Sequence, residues 1–207
     1  MSKENPSPAL RPSSIAKRDA ILDAARKRFF ADGFGMASIE AIAEDARVSK
    51  VTLYKHFGDK ETLFKAAVER ECEQIRSHFS IDGSQDDPVR TRLLDIGKAM
   101  VAFLSRPEMV QFERRIAAET QLEPGIGKTF LAAGPHRMKA AFTVFLRSLV
   151  DAGELQIEDL DLAAEQFVSM CKGMGDLERR FGMPADPVRD RKRIEGAVDV
   201  FCHAYGT

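Results

Sequence analysis

SIEAIAEDARVSKVTLYKHFGDKETLF, residues 38–64, is the stretch on which the reading of this chain turns. Ser38 stands where a helix N-cap is wanted, and Ile39, Ile42, Ala43 and Ala46 follow at helical spacing, which predicts a short helix with one narrow apolar face. Ala46-Arg47-Val48-Ser49 interrupts the pattern, with Val48 as an apolar plug and Ser49 as the next cap. In the helix that begins there, Leu53 and Phe57 lie one turn apart and face inward. Lys50, Val51, Thr52, Tyr54, Lys55 and His56 are left on the remaining surface. Gly58-Asp59 ends it, and Asp59 caps a third helix whose first turn carries Lys60 and Glu61. Helix N-termini and cations favour phosphate oxygens, while Thr and Tyr can touch base edges or sugar. His56 alone is an ordinary surface residue; the combination of spacing, caps and turn is what points to DNA.

The segment from about Lys17 to Phe64 resembles the DNA-binding domain of the TetR family of bacterial transcriptional regulators. The likeness is carried by Ile21, Ala24, Ala25, Phe29, Phe30 and Gly33-Phe34, then Val48-Ser49, Thr52-Leu53-Tyr54, His56-Phe57 and Lys60-Glu61. It implies base contacts from Lys50, Val51 and Thr52, and phosphate anchoring by Ser38, Tyr54, His56 and Lys60. Arg47, Ser49 and Lys55 complete the candidate DNA-binding set. Two positions depart from the family pattern. Arg47 stands where Gly is usual and must accept a left-handed conformation at a cost of about 1 kcal/mol. Val51 stands where Gly is frequent, and its methyls suit a thymine methyl.

Charge supports the assignment only locally. The formal charge is −1, but residues 1–60 hold eleven Lys and Arg against eight Asp and Glu, so +3 there leaves −4 for the rest. The Arg47, Lys50, Lys55, Lys60 cluster carries the argument. No apolar run is long enough to span a bilayer and no signal-peptide core opens the chain, so a cytoplasmic protein with no membrane partner is expected. Cys72, Cys171 and Cys202 are read as reduced, buried thiols, with redox sensing as the competing reading. The four His show no metal-ligand spacing, and no metal or cofactor is expected. Gly125-Ile126-Gly127-Lys128-Thr129 ends like a phosphate-binding loop, but Leu122 occupies the required earlier Gly position and no strand precedes it. With no His-Glu-x-x-His, no Gly-x-Ser-x-Gly and no nucleophile-base pair, no catalytic residues are assigned and no enzyme activity is expected.

The expected fold is all-α: a tail over 1–14, a helix-turn-helix domain over 15–60 and a larger helical bundle over 61–207. Pro and Ser mark residues 2–14 as disordered, with Lys3 and Arg11 as a basic arm or an idle tail. A helix from about Asp59 to Phe79 should end in the polar stretch 82–88, the domain boundary. Ser105-Arg106-Pro107-Glu108 reads as a capping box opening a helix to about Gln121. Pro124-Gly125 and Gly134-Pro135 punctuate the next two helices; Asp159 caps one to about Phe181, and a last helix follows Asp186 to about Ala204. The run from Arg106 to Gly173, with Phe130, Gly153-Glu154-Leu155 and Ala163 to Phe167, resembles the AefR-like group of TetR C-terminal domains.

That second resemblance implies a small-molecule effector site. Six of eight Met and eight of fourteen Phe fall after residue 95, and such side chains serve as core or as pocket lining alike. Met100, Phe103, Met109, Phe112, Ile116, Met138, Phe142, Phe145, Met170 and Met174 are the candidate ligand-binding residues. Glu113 and also Glu119 are candidate polar contacts, or surface partners of Arg114 and Arg115. The last two helices are expected to build a homodimer, using Leu162, Phe167, Met170, Cys171, Met174 and Leu177, the small Ala163, Ala164, Gly173 and Gly175, then Ile194, Ala197, Val198 and Phe201. The expectation is a dimeric regulator, most simply a repressor, that binds double-stranded palindromic operator DNA and is released by an apolar or amphipathic effector. The competing reading is a helical small-molecule-binding protein whose DNA domain is degenerate.

Overall fold

Short side-chain caps start the helices of the N-terminal segment where the sequence puts them. Ser38 Oγ accepts from Ala41 N, Ser49 Oγ accepts from Thr52 N at 3.1 Å, and Asp59 Oδ1 accepts from Thr62 N at 2.7 Å. The computed structural model describes residues 12–76 and 87–207. Among them lie α1 (Pro12–Met36), α2 (Ile39–Asp45), α3 (Lys50–Phe57), α4 (Lys60–Arg76), α5 (Val89–Leu104), α6 (Pro107–Glu119), α7 (Pro124–Ala133), α8 (Pro135–Asp151), α9 (Leu160–Arg180) and α10 (Pro187–Tyr205). The fold is all-α, and the described residues hold no strand, only a single bridge between Leu155 and Gly206.

Several boundaries move. The tail expected over 1–14 gives way to α1 at Pro12, a position where proline's fixed φ suits a helix start; Lys3 and Arg11 lie outside the described residues. So does most of the expected linker over 82–88. The expected capping box does not form: Ser105 closes α5, its hydroxyl donating back to Val101 O at 2.6 Å, and no side chain caps α6. Helix α5, which carries Leu93, Ile96 and Val101 inward, has no cap in the sequence to announce it. Asp159 and Asp186 do cap α9 and α10.

Two apolar clusters hold the chain together. The first joins α1, α2, α3 and α4 to Met109, Phe112 and Ile116 of α6 and to Ile126 and Ala133 of α7. The second gathers α5, α8, α9 and α10 around Phe142, Phe167 and Phe201. A division after residue 60 therefore cuts α4 from its own packing, since Leu63, Phe64, Ala67 and Val68 are buried with α1. Gly125 to Thr129 lies in α7, with Gly127 packed on Thr120 and Thr129 Oγ1 donating to Glu61 at 2.6 Å, so the phosphate-loop likeness is only a helix turn.

α6 grips the end of α1. Phe112 stacks on Phe30 with ring centroids 4.1 Å apart and planes 7° apart. Arg115 Nη1 donates to Phe30 O at 2.7 Å and also to Ala31 O. Glu119 Oε2 accepts from Phe34 N and Gly35 N, both at 3.0 Å. Glu119 is thus a structural clamp and neither a ligand contact nor a partner of Arg115. The chain turns at Gly33, with φ 83° and ψ 179°, a region essentially reserved for glycine, and a Cβ there would overlap the Glu119 carboxylate. Gly33→Ala is expected to lower stability by about 2–3 kcal/mol, read from the midpoint of urea unfolding; an unchanged midpoint would show that the clamp tolerates the bulk.

Candidate nucleic-acid interface and inner cavity

Leu53 and Phe57 anchor α3 in the first cluster, and Arg18 lies over the Phe57 ring at 5.3 Å. What remains outward is the set the sequence marks. Val51 is 78 % exposed and Tyr54 40 % exposed; Lys50 and Lys55 are exposed, Thr52 and His56 half-buried. The Thr52 hydroxyl is 2.8 Å from Ser49 Oγ, and one of the two donates to the other. Lys50 Nζ hydrogen-bonds Glu40 of α2 and stands 5.9 Å from the Tyr54 ring, and Ser38 Oγ donates to the same Glu40 at 3.1 Å. Ser38, Glu40, Lys50 and Tyr54 form one contact chain across α2 and α3.

Lys60 is held apart from it. Its ammonium donates to Gly35 O at 3.1 Å and sits 4.7 Å from the centre of the Phe34 ring, where burial lowers its pKa. Arg47 adopts φ 54°, the left-handed conformation its place in the turn demands. The Lys50 hydrogen bond holds the Glu40 carboxyl down at about 2. What little this exposed pair contributes is present above the ordinary carboxylate value of 4.5 and is lost as pH falls toward 2; at neutral pH the Glu40 carboxyl is ionised.

Behind the N-terminal segment lies a cavity of about 950 Å³. Met100, Phe103, Met109, Phe112, Glu113, Met138, Phe142 and Phe145 line it, as the sequence allows. Three candidates do not. Ile116 sits one turn beyond Phe112, buried in the first cluster toward α1; Met170 packs against the second cluster; Met174 is 58 % exposed on the outer side of α9. The lining also draws Phe30 from α1 and Val68, Glu71 and Cys72 from α4. Glu71 carried a signal in the sequence, for it falls on the stripe of Leu63, Phe64, Ala67 and Val68 where a charge does not belong.

Burial raises the pKa of Glu113, against the opposing pull of Arg180, whose Nη2 is 3.1 Å away. Burial also pushes the Cys72 thiol up to about 11 and Cys171 to about 12. Both stay protonated at neutral pH, which disfavours thiolate chemistry at these two positions. No group of His, Cys, Asp and Glu among the described residues is arranged to hold a metal ion.

Comparison with known proteins agrees with this layout. Residues 21–67 match the family described as bacterial regulatory proteins, tetR family, and residues 91–207 match the AefR-like transcriptional repressor C-terminal domain. The regulator UidR of Escherichia coli is 40 % identical over 62 residues, 30 % of this chain and 32 % of UidR, so the chain matches about a third of that relative's length. The nicotine-responsive transcriptional repressor HdnoR of Paenarthrobacter nicotinovorans is 28 % identical across 95 % of this chain and 100 % of its own. A solved TetR-family regulator from Mesorhizobium loti superposes with TM-score 0.80 at 28 % identity, covering 95 % of this chain and 100 % of that one. The flavonoid-responsive regulator FrrA superposes with TM-score 0.74 at 29 % identity, over 92 % and 97 %.

Two outcomes follow from the turn and the Lys50 pair. Arg47→Gly should raise unfolding stability by about 0.5–1 kcal/mol, because relief of the left-handed strain outweighs the added freedom of the unfolded chain; a loss of stability in urea would contradict the strain. Glu40→Gln should free the Lys50 ammonium for a base edge and raise affinity for a cognate duplex over an unrelated one by about 1 kcal/mol. An equal gain on both duplexes would mean that Lys50 reads no base.

Proposed function

The chain belongs to the TetR family of bacterial regulatory proteins and is a DNA-binding transcriptional regulator, not an enzyme; from that premise we propose that it is a homodimeric repressor of a palindromic operator, released by a small apolar or amphipathic effector. The observation that carries this reading is α3, anchored by Leu53 and Phe57 while Lys50, Val51, Thr52 and Tyr54 face out beside the Ser49 helix start. Lys50, Val51 and Thr52 are the base-reading residues, and Ser38, Tyr54, His56 and Lys60 anchor phosphates, with Arg47, Ser49 and Lys55 around them. Lys60 reaches a phosphate by leaving Gly35 O, a short-range exchange of one acceptor for another. A regulator of this kind works in the cytoplasm, where the chromosome is.

The effector reading rests on the cavity and on two relatives whose names state responsiveness to nicotine and to flavonoids. Rings of that kind suit walls of Phe and Met. Phe112 belongs both to the cavity and to the stack on Phe30, so a bound molecule bears on a ring whose other face is α1.

For the dimer, α9 and α10 supply the surface, but not with all the residues the sequence marks. Phe167, Cys171, Ala163, Ala164, Ile194, Ala197, Val198 and Phe201 are buried in the protomer's own core, and Gly175 lies against Arg193 and Asp190. Leu162, Met174, Leu177, Phe181, Val188 and Val200 are 46–81 % exposed, and it is this set, with exposed Gly173, that a second copy would cover. Two α3 helices then sit about 34–36 Å apart, one turn of DNA.

A salt-dependent anisotropy titration on the DNA upstream of its own gene tests the reading. Tyr54→Ala and Lys60→Ala should weaken binding about equally for all sequences, whereas Lys50→Ala should also relax sequence preference, by about 1–3 kcal/mol at the contacted base. Parent-like binding by all three would refute the assignment. Leu177→Glu should yield monomers in sedimentation and lose operator affinity; a dimer that survives it uses another face.

A further inference from the structure

Glu71 is 2 % exposed and lines the cavity, yet its Oε2 accepts no hydrogen bond among the described residues. Oε1 is taken by Arg106, and Oε2 lies 3.5 Å from Arg26 Nη1 without hydrogen-bond geometry. A buried acceptor left open costs about 1–3 kcal/mol, more for a charged group, so the position favours anything that brings a donor. The rings around it are aromatic: Arg26 lies 5.8 Å from the Phe30 centroid and Arg106 lies 4.3 Å from that of Phe103. Phe30 stacks on Phe112, and Phe130 meets Phe112 edge-on at 5.6 Å. All four Phe line the cavity.

The sign of the donor follows from the charges behind it. Two guanidiniums, Arg26 and Arg106, already face Glu71, and Arg106 Nε is also 3.6 Å from Glu108. The cluster is therefore neutral as it stands, two guanidiniums against Glu71 and Glu108, and a cationic ligand would leave it with a net positive charge. Neither arginine lines the cavity, so an anion would meet the carboxylate first. A neutral O–H has neither difficulty. We propose that the cavity takes a flat aromatic ligand whose neutral hydroxyl donates to Glu71 Oε2, brought to the cavity wall by a small rotation of that side chain, while the ligand's rings lie against Phe30, Phe103, Phe112 and Phe130. This assignment rests on the reading of the cavity as the effector site and names the chemistry that the site selects.

The test uses the full chain, which contains no tryptophan, so naphthalene fluorescence is read without an indole background. The probes are β-naphthol, β-methoxynaphthalene, naphthalene and β-naphthylmethylammonium, each small enough to occupy one aromatic subsite. β-Naphthol should bind at least about ten-fold more tightly than the ether or the hydrocarbon, as a buried bond to a charged acceptor implies. In Glu71→Gln, whose amide oxygen is a weaker acceptor, the margin should shrink to about three-fold while naphthalene affinity stays within about two-fold. Equal binding of the first three probes by the parent overturns the proposal, as does absence of β-naphthol binding, a preference for the ammonium probe, or an undiminished margin in folded Glu71→Gln. Should that variant fail to fold, the four-probe ranking on the parent decides alone. Release of operator DNA by β-naphthol is scored separately: binding without release removes the effector role and leaves the hydroxyl site standing.

Discussion

The contact on which the rest depends is the seat of α6 on the C-terminal end of α1. A helix end leaves carbonyls without partners, and Arg115 takes two of them, those of Phe30 and Ala31. The chain then turns at Gly33 and presents two amide hydrogens, which Glu119 accepts. One cation and one anion, a helical turn apart on α6, thus satisfy both kinds of orphan group at a single junction. The Phe30–Phe112 stack lies a turn to one side of it. Because α2 and α3 are packed on α1 through Ile42, Leu53 and Phe57, the position of the reading helix is set by where α6 stands.

The reading helix itself is lightly built. Eight residues carry only two buried side chains, Leu53 and Phe57, so its hold comes from the caps at either end and from the packing of α2 beneath it. The Arg28 fork on Asp45, at 2.7 and 3.1 Å, joins α1 to α2 at the surface; being exposed it adds little energy but limits their relative tilt. Arg47 shows how firmly the turn is imposed, for a residue with a Cβ accepts a left-handed φ there.

The parts legible in the sequence are those decided within a few residues. Ser38, Ser49, Asp59 and Asp159 each cap the helix they precede, and Leu53 with Phe57 face inward, because caps and one-turn spacing are local physics. Ser105 failed for a local reason too: it was already committed to Val101 O as the end of α5. Tertiary placement was less legible. Phe112 and Ile116 are one turn apart on α6 and equally apolar, yet one borders the cavity and the other does not, since the helix passes from the cavity wall to the α1 seat between them. In α9, Cys171 and Met174 share the same helical stripe by spacing, but one is fully buried and the other open. Glu71 was legible in principle: a carboxylate on a buried stripe demands an explanation, and Arg26 and Arg106 supply only part of it.

The magnitudes also say how the two halves can communicate. The bonds of Arg115 and Glu119, each pair sharing one atom and one bond of each pair exposed, together contribute on the order of 3–4 kcal/mol, before the aromatic stack is counted. Coupling between a ligand site and a distant one is commonly about 1–3 kcal/mol. On the function proposed above, a ligand with coupling of that size would leave the α1–α6 junction intact. It would displace α6, and the junction would carry α1, with α2 and α3 upon it, as one piece. Linkage then requires that DNA, by holding the reading helix in place, resist the same displacement and weaken the ligand by an equal factor.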